Sequence, residues 1–202
     1  MATVFLVDDD PGVLKALSRL LHTKGYDVRA YTSPQEFLAQ HDATVCGCAV
    51  LDVAMPGLDG LALQQALTSG DAPRPVIFIT GKGDIPTSVR AMKAGAIDFL
   101  LKPVSDQDLL AAIARAQEQD TKSRQIRAEL ASIQAKLTTL TPREREVLTH
   151  VVAGRLNKQI AGDLGTVEKT IKVHRSRIME KMGVRTVVDL VRLAEKAGIS
   201  RN

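Results

Sequence analysis

The sequence has few cysteines, no long hydrophobic run and no basic segment near its N-terminus. No run of about 18 apolar residues occurs, so no membrane-spanning helix is expected. The chain turns acidic at Asp8 without a preceding basic region, which argues against a signal peptide and predicts a cytoplasmic protein. Two cysteines, Cys46 and Cys48, are too few for a disulfide framework and are interpreted as small apolar residues near a strand. Metal binding by the two cysteines is an alternative, although the sequence has no third cysteine.

Charge is distributed unevenly along the 202 residues. Residues 1–117 hold 10 basic and 13 acidic side chains, a net charge of −3, whereas residues 118–202 hold 17 and 10, a net charge of +7. The length allows two small domains. The difference suggests that the second part binds a polyanion, unless its charges form only an ordinary solvated surface.

Strand-like and helix-like patterns alternate five times in the first part of the chain. The apolar runs lie at 3–8, 26–31, 48–52, 76–80 and 97–101. Between them, residues recur at helical spacing and end at Gly, and Ser33 to Glu36 has the pattern of a capping box. This alternation predicts an α/β fold, an open parallel five-stranded sheet with helices on both faces.

Residues 112–140 lack a strand pattern and predict a linker helix. Apolar residues are spaced by 4, 3, 4 and 3 positions at Ile126, Leu130, Ile133, Leu137 and Leu140. Two heptads are compatible with a short coiled coil and equally with a helix whose apolar face rests on a neighbouring domain. The sequence is compatible with both alternatives.

The rest of the chain predicts short helices joined by tight glycine turns. Thr141 to Glu144 forms a second capping-box pattern, Thr166 is expected to cap a long helix that reaches Met182, and Thr186 is expected to cap the last helix. This pattern favours a small all-α helix-turn-helix domain. We therefore expect domains at 1–117 and 140–202, connected by a helical linker at 118–139.

An aspartate ends a buried strand pattern at Asp52, and such a burial is costly unless the group is used. On an open parallel sheet, chemistry lies beyond the carboxyl ends of the strands, where Asp8, Asp9, Thr80 and Lys102 are also expected. Carboxylate oxygens favour Mg²⁺, while Thr80 and Lys102 can bind phosphoryl oxygens. The pattern predicts that Asp52 accepts a phosphoryl group; Asp10 is not excluded from the acidic cluster.

Five separated motifs carry a family resemblance: Val7-Asp8-Asp9, Leu51-Asp52, Met55-Pro56, Ile79-Thr80-Gly81 and the Phe-Leu-Leu-Lys-Pro of 99–103. Their order resembles the receiver domain of two-component response regulators over about residues 2–117. The resemblance implies a flavodoxin-like, doubly wound sheet.

The same resemblance implies a role for each matched residue. Asp52 would be the phosphoacceptor, Asp9 a direct Mg²⁺ ligand, Asp8 an indirect ligand through water, and the Ala54 carbonyl a further metal contact. Thr80 would be the switch hydroxyl and Phe99 the aromatic ring that turns inward with it, unless Phe99 is a plain core residue. A cis peptide bond between Lys102 and Pro103 is also implied.

Lys82 lies two residues after Thr80, close to the expected acyl phosphate. Its charge could lengthen the lifetime of an acyl phosphate on Asp52 or assist partner binding. The alternative is an ordinary solvated loop lysine.

The helix expected at 167–182 has two distinct faces. Ile171, Ile178 and Met182 form a core stripe, whereas Lys169, Lys172, Arg175 and Ser176 form a polar face of the size needed for the major groove. Periodicity alone would equally suit a solvated charged face.

Three segments of the second part resemble the LuxR-type DNA-binding domain over about residues 138–200. They are 140–148, 157–161 and 170–175. The resemblance implies a scaffold helix at 157–164 and a recognition helix at 167–182. Lys172, Val173 and Ser176 would face base edges, with His174 packing the helix or touching the DNA backbone. Phosphate contacts would come from Lys158, Lys169, Thr170, Arg175 and Arg177.

The whole chain thus resembles a response regulator of the FixJ/NarL type. The resemblance implies a transcription regulator, and members of this type mostly activate transcription. With Mg²⁺ bound, it would accept phosphate on Asp52 from a sensor histidine kinase. Its partners would be double-stranded promoter DNA, RNA polymerase and a second copy of the chain in a phosphorylation-dependent homodimer. No association with a membrane is expected. Two other functional classes are alternatives. A phosphohydrolase is disfavoured because Ala54 stands where such enzymes need a general acid. A protein–protein switch would leave the basic second part merely solvated.

Overall fold

The computed structural model describes residues 2–69, 72–81 and 84–199. These residues form two compact units, an N-terminal unit that reaches Arg124 and a C-terminal unit that begins at Gln125. Each unit is described separately below.

Within the described residues the N-terminal unit contains one parallel sheet of five strands in the order β2-β1-β3-β4-β5. The strands are β1 (Thr3–Val7), β2 (Asp27–Tyr31), β3 (Gly47–Asp52), β4 (Val76–Thr80) and β5 (Asp98–Leu101). The predicted α/β, doubly wound parallel architecture is confirmed, with strand ends displaced by at most one residue.

Helices alternate with these strands, and most of them begin at a polar cap. They are α1 (Pro11–Thr23), α2 (Pro34–Gln40), α3 (Gly60–Thr68), α4 (Ile85–Lys93) and α5 (Asp106–Thr138). Asp10, Ser33, Asp59 and Asp84 each accept a bond from a first-turn N–H, which satisfies a donor that has no partner within the helix. The capping box predicted at Ser33 is only half formed, because Glu36 accepts from the Thr32 N–H instead.

Both faces of the sheet are covered, which explains why its strands read as continuous apolar runs. On β1, Val4 and Leu6 pack in one cluster with residues of α1 and α5, including Leu21 and Ile113. Phe5 and Val7 point to the opposite face, where they join residues of α2, α3 and α4. The central strands must therefore be apolar at every position except their ends.

Helix α5 is one continuous helix of 33 residues that contributes to both units. Leu109 and Ile113 lie in the core of the N-terminal unit, whereas Ile133 and Leu137 lie in the core of the C-terminal unit. Of the heptad positions, Ile126 and Leu130 are exposed and the last three are buried. For Ile133, Leu137 and Leu140 the structure therefore favours the second alternative, packing against a domain of the same chain.

Four further helices complete the C-terminal unit: α6 (Pro142–Val152), α7 (Asn157–Asp163), α8 (Glu168–Met182) and α9 (Val187–Lys196). Their core includes Val147, Ile160, Ile178 and Leu190. The capping box at Thr141 and the cap at Thr186 are confirmed. The cap predicted at Thr166 is wrong, because the helix begins one residue later and Val167 holds the cap position without a side-chain bond. The Thr166 N–H closes the preceding turn on the Ala161 carbonyl.

A buried ion pair joins α6 to α8. The Glu144 side chain is almost fully buried, and its Oε2 accepts from Lys181 Nζ at 2.7 Å and from the Thr141 N–H at 2.9 Å. The hydrogen bond from Lys181 lowers the pKa of Glu144 below its ordinary value of 4.5, in spite of the burial. The charged form of Glu144 therefore stabilises this unit.

Because the pKa is lowered on folding, this contribution is present above about pH 4.5 and is lost as the pH falls through the lowered value. Glu144→Gln keeps an acceptor but removes the charge, so we expect a loss of about 1–2 kcal/mol at pH 7 and a weaker acid dependence. Hydrogen exchange of α6 and α8 amides measures both quantities. Glu146→Gln, which alters the exposed pair with Arg143, should change little; an unaltered acid dependence in Glu144→Gln would contradict the assignment.

Candidate functional site

The carboxyl ends of four strands bring the predicted polar residues to one edge of the sheet. The strand register places Asp52 beside Ile79, and Thr80 beside Leu101. Asp8 follows β1 directly and Lys102 follows β5 directly. Four residues that are far apart in the sequence therefore meet because the strands are parallel and in register.

Lys102 joins the two buried carboxylates of this edge. Its Nζ lies 2.5 Å from Asp8 Oδ2 and 2.8 Å from Asp52 Oδ1. Asp8 is 1% exposed and Asp52 is 5% exposed. Two carboxylates so far from water need a cation between them, and the ammonium group meets that need.

Burial raises the pKa of Asp8, and the opposing bonds from Lys102 and from the Asp10 N–H do not cancel that effect. Burial acts downward on the pKa of Lys102, but the bonds to Asp52 and Asp8 outweigh it and raise that pKa. Lys102 is accordingly held as a cation at neutral pH.

The other predicted members of the acidic cluster either contact this pair through backbone N–H groups or are exposed. Asp9 is exposed, and Asp10 caps α1 by accepting from the N–H groups of Gly12 and Val13. The Ala54 N–H donates to Asp52 Oδ2 at 2.9 Å. Over the residues that the structure describes, no three His, Cys, Asp or Glu side chains lie close enough together to hold a metal ion.

The donor chemistry nevertheless fits a hard divalent cation. Asp8 and Asp52 point carboxylate oxygens at one shared position, and that position already holds a positive charge, the Lys102 ammonium group. Oxygen donors of this kind suit Mg²⁺.

Thr80 and Phe99 lie beside this edge. Thr80 is buried, and its carbonyl accepts from the Lys102 N–H at 2.7 Å. The Phe99 ring is partly buried and packs against Phe78 with centroids 6.1 Å apart. The Lys102–Pro103 bond is cis, as the resemblance implies. Lys82 lies outside the described residues.

The sequence analysis missed Gly60, at the start of α3. A Cβ at this position would lie 2.4 Å from the Asp52 carbonyl oxygen, so any side chain would push the helix away from the strand end. The Gly60 N–H donates to the Val53 carbonyl. A glycine at a helix start just after an acidic strand end is the signal that could have revealed this close approach.

The two predicted faces of α8 are present in the C-terminal unit. Ile171, Ile178 and Met182 are fully buried. On the other side, the exposed residues are Lys169, Lys172, Val173, Ser176 and Arg177, while Thr170 is half-buried and Lys158 is exposed on α7. The helix therefore presents a basic face to solvent while its apolar face holds it in place.

Arg175 and His174 differ from the exposed members of this set. Arg175 Nη1 donates to Asn157 Oδ1 at 2.6 Å and so links α8 to α7, beside a groove of about 410 Å³. His174 is half-buried. Lys172 forms an exposed ion pair with Glu168 at 3.2 Å.

Two known families match the chain in the same order as the two units. "Response regulator receiver domain" matches residues 4–114, and "Bacterial regulatory proteins, luxR family" matches residues 138–194. None of the described helices is both long and apolar enough to cross a membrane.

Relatives align over nearly the whole chain. Nodulation protein W of Bradyrhizobium diazoefficiens is 45% identical over 100% of this chain and 88% of its own length. Response regulator protein TmoT of Ectopseudomonas mendocina is 43% identical over 96% and 89%. Transcriptional regulatory protein FixJ of Bradyrhizobium diazoefficiens is 39% identical over 97% and 96%.

Solved structures of response regulators are also similar to nearly the whole chain. Response regulator StyR superimposes with a TM-score of 0.87 at 45% identity, covering 96% of this chain and 98% of its own. Full-length FixJ from B. japonicum has a TM-score of 0.59 at 38% identity, covering 98% of both chains.

The position of Lys102 between two carboxylates leads to a test of cation binding. Lys102→Met should lower the unfolding free energy of the N-terminal unit by about 1–3 kcal/mol in EDTA, because it leaves two buried carboxylates unpaired. Saturating Mg²⁺ should restore more stability to this variant than to the wild type.

Tyrosine fluorescence during urea unfolding reports on this unit alone, because the chain has two tyrosines, Tyr26 and Tyr31, and no tryptophan. Lys15→Met, on the exposed side of α1, is the matched control and should behave as the wild type. Equal stability of Lys102→Met and wild type in EDTA would show that the ammonium group is not needed there.

Proposed function

Because this chain belongs to the response regulators that join a receiver domain to a LuxR-type DNA-binding domain, we propose that it accepts a phosphoryl group on Asp52 and then binds promoter DNA through α8. Regulators of this family control transcription in two-component systems, and a receiver implies a histidine kinase as partner. The observation that carries the proposal is the convergence of Asp8, Asp52 and Lys102 at one edge of the sheet.

In the proposed reaction, an Asp52 oxygen attacks the phosphorus of a phosphohistidine on the kinase. The new O–P bond forms as the N–P bond breaks, and the electron pair of that bond stays on the histidine nitrogen. The Lys102 ammonium group, already 2.8 Å from Asp52, would offset the added negative charge. The Thr80 hydroxyl would bind a phosphoryl oxygen.

Receiver domains generally bind Mg²⁺ for this reaction. In this chain Asp8, Asp9, Asp52 and the Ala54 carbonyl would hold the ion, which when bound neutralises phosphoryl oxygens. Asp8 and Asp52 already share one cation position, and exposed Asp9 would complete the set from the solvent side.

The acyl phosphate on Asp52 would carry roughly −1.5 to −2 charge in place of the single charge of the carboxylate, and this charge would draw Thr80 and Lys102 toward the new group. Phe99 would move with Thr80, which alters the surface near β5. We propose that this change favours a homodimer and DNA binding in the cytoplasm, where the bound regulator contacts RNA polymerase. The functional division would be 1–117, 118–139 and 140–202.

In the DNA complex, α8 would enter the major groove. Its exposed Lys172, Val173 and Ser176 would face base edges. Contacts to phosphates would come from Lys158, Lys169, Thr170, Arg175 and Arg177. Arg175 already donates to Asn157, so its phosphate contact would either replace this hydrogen bond or form beside it.

The identity of the phosphoacceptor is tested with a small acyl phosphate donor and Mg²⁺. The intact mass of the wild type should increase by one phosphoryl group, and Asp52→Asn should show no increase because an amide is not a nucleophile here. Asp59→Asn changes an exposed helix cap to an equally good one and should react normally. Phosphoryl incorporation into Asp52→Asn would refute the assignment.

Two lysines on α8 should affect DNA binding differently. With a DNA site selected by the protein from a random pool, Lys172→Ala should cost about 1–3 kcal/mol for that site and less for unrelated DNA. Lys169→Ala should weaken binding to all sequences and reduce the slope of log affinity against log salt by about one.

Gel shifts at several salt concentrations measure both effects. Lys15→Ala carries the same charge change on an exposed helix of the receiver and should leave the affinity unaltered. If all three variants bind as the wild type does, α8 is not the DNA-contacting helix.

A further inference from the structure

The loop between α2 and β3 lies at the amino ends of the strands, the edge of the sheet opposite Asp52. Two arginines from distant parts of the chain reach this loop: Arg74, just before β4, and Arg124, on α5. We call Arg74, Arg124, Asp120 and the loop residues 42–47 the carbonyl clamp. All of them belong to the N-terminal unit.

Arg74 is a buried cation, 2% exposed. Its Nη2 donates to the carbonyls of Asp42 and Val45 at 2.8 and 3.0 Å, and its Nη1 to that of Gly47 at 3.2 Å. Its guanidinium carbon lies 4.2 Å from the centre of the Phe5 ring. A charge at this depth requires such partners.

Arg124 holds the outer side of the same loop. Its Nη1 donates to the Thr44 carbonyl at 2.9 Å, and its Nη2 to the carbonyls of Ala43 and Val45 at 2.9 and 2.8 Å. Its Nε donates to Asp120 Oδ2 at 2.8 Å, and the same oxygen accepts from the Gly47 N–H at 2.9 Å. Asp120 is 2% exposed.

Every carbonyl from residue 42 to residue 47 therefore accepts a hydrogen bond, because the Thr3 N–H occupies that of Cys46. Loop carbonyls are ordinarily left to water. Gly47 has a φ of +149°, and a Cβ there would lie 1.8 Å from the Thr3 carbonyl oxygen. The loop is thus held in one conformation against β1.

The clamp also extends the attachment of α5 to the sheet. Ala112 and Ala116 lie in the core of this unit, and Ala116 is the last residue of α5 that is buried there. Asp120 and Arg124 follow at intervals of four, so they lie on the same side of the helix. Beyond Arg124 the helix belongs to the other unit.

We infer that Asp120 and Arg124 are positioning residues that fix the register of α5 on the receiver, so that phosphorylation at Asp52 changes DNA affinity only while the clamp is closed. This inference rests on the proposed function. An α5 attached only through its apolar residues could rotate or fray before residue 125 and lose the signal. With the clamp closed, residues 117–124 of the helix stay attached to the receiver.

Arg124→Gln removes the charge and most of the donors that Arg124 directs at the loop. Lys122→Gln is the matched control, with the same charge change on an exposed side chain of the same helix. We expect both full-length variants to accept phosphate on Asp52 at the wild-type rate. In Arg124→Gln alone, amides of 42–47 and 117–124 should exchange roughly tenfold faster or more.

The decisive readout is the ratio of DNA affinities with and without phosphate on Asp52. It should fall to about 1 in Arg124→Gln and stay at the wild-type value in Lys122→Gln. Arg124→Lys, which keeps the charge and part of the bonding, should recover part of the ratio. If Arg124→Gln does not fold, Arg124→Lys and Asp120→Asn provide the test. Arg124→Lys keeps the positive charge and Asp120→Asn keeps an acceptor oxygen, and each should lower the ratio.

A wild-type ratio in a variant whose loop exchanges faster would overturn the inference and leave the clamp a purely structural feature. A wild type whose DNA affinity does not respond to phosphate would instead overturn the proposed function. The two failures are therefore distinguishable within one set of measurements.

Discussion

The burial of two carboxylates beside each other is the constraint on which the N-terminal unit depends. Asp8 and Asp52 end neighbouring strands and are almost excluded from water, so a cation has to lie between them. Lys102 meets this need from the end of a third strand. The strand order, the register and the Gly60 contact behind Asp52 all serve to keep these three ends together.

The opposite edge of the same sheet has a comparable arrangement with the charges reversed. There a buried guanidinium is surrounded by backbone carbonyls, and the carboxylate of Asp120 balances the positive charge. Helix α5 takes part in the apolar core between the two edges and supplies two members of the clamp. Both edges rely on charged groups that meet only in the folded chain, which makes each of them sensitive to small displacements.

Much of this arrangement could be predicted because it is local or periodic. Continuous apolar strands, capped helix starts and the two faces of α8 follow from patterns of a few residues, and the structure contains them. The cap predicted at Thr166 was wrong because the helix begins one residue later, so that Val167 holds the cap position. Packing of the second half of α5 on a domain was one of two open alternatives, because helical periodicity does not say what a helix face will touch.

By itself the sequence determined the fold class, the order of the elements and the identity of the polar strand ends, since these depend on spacing along the chain. Only the tertiary structure decided that Lys102 lies between Asp8 and Asp52, that Asp9 and Asp10 stay outside this pair, and that Arg124 reaches a loop 79–81 residues away. Those contacts depend on distances across the sheet and on burial, which residue order alone does not encode.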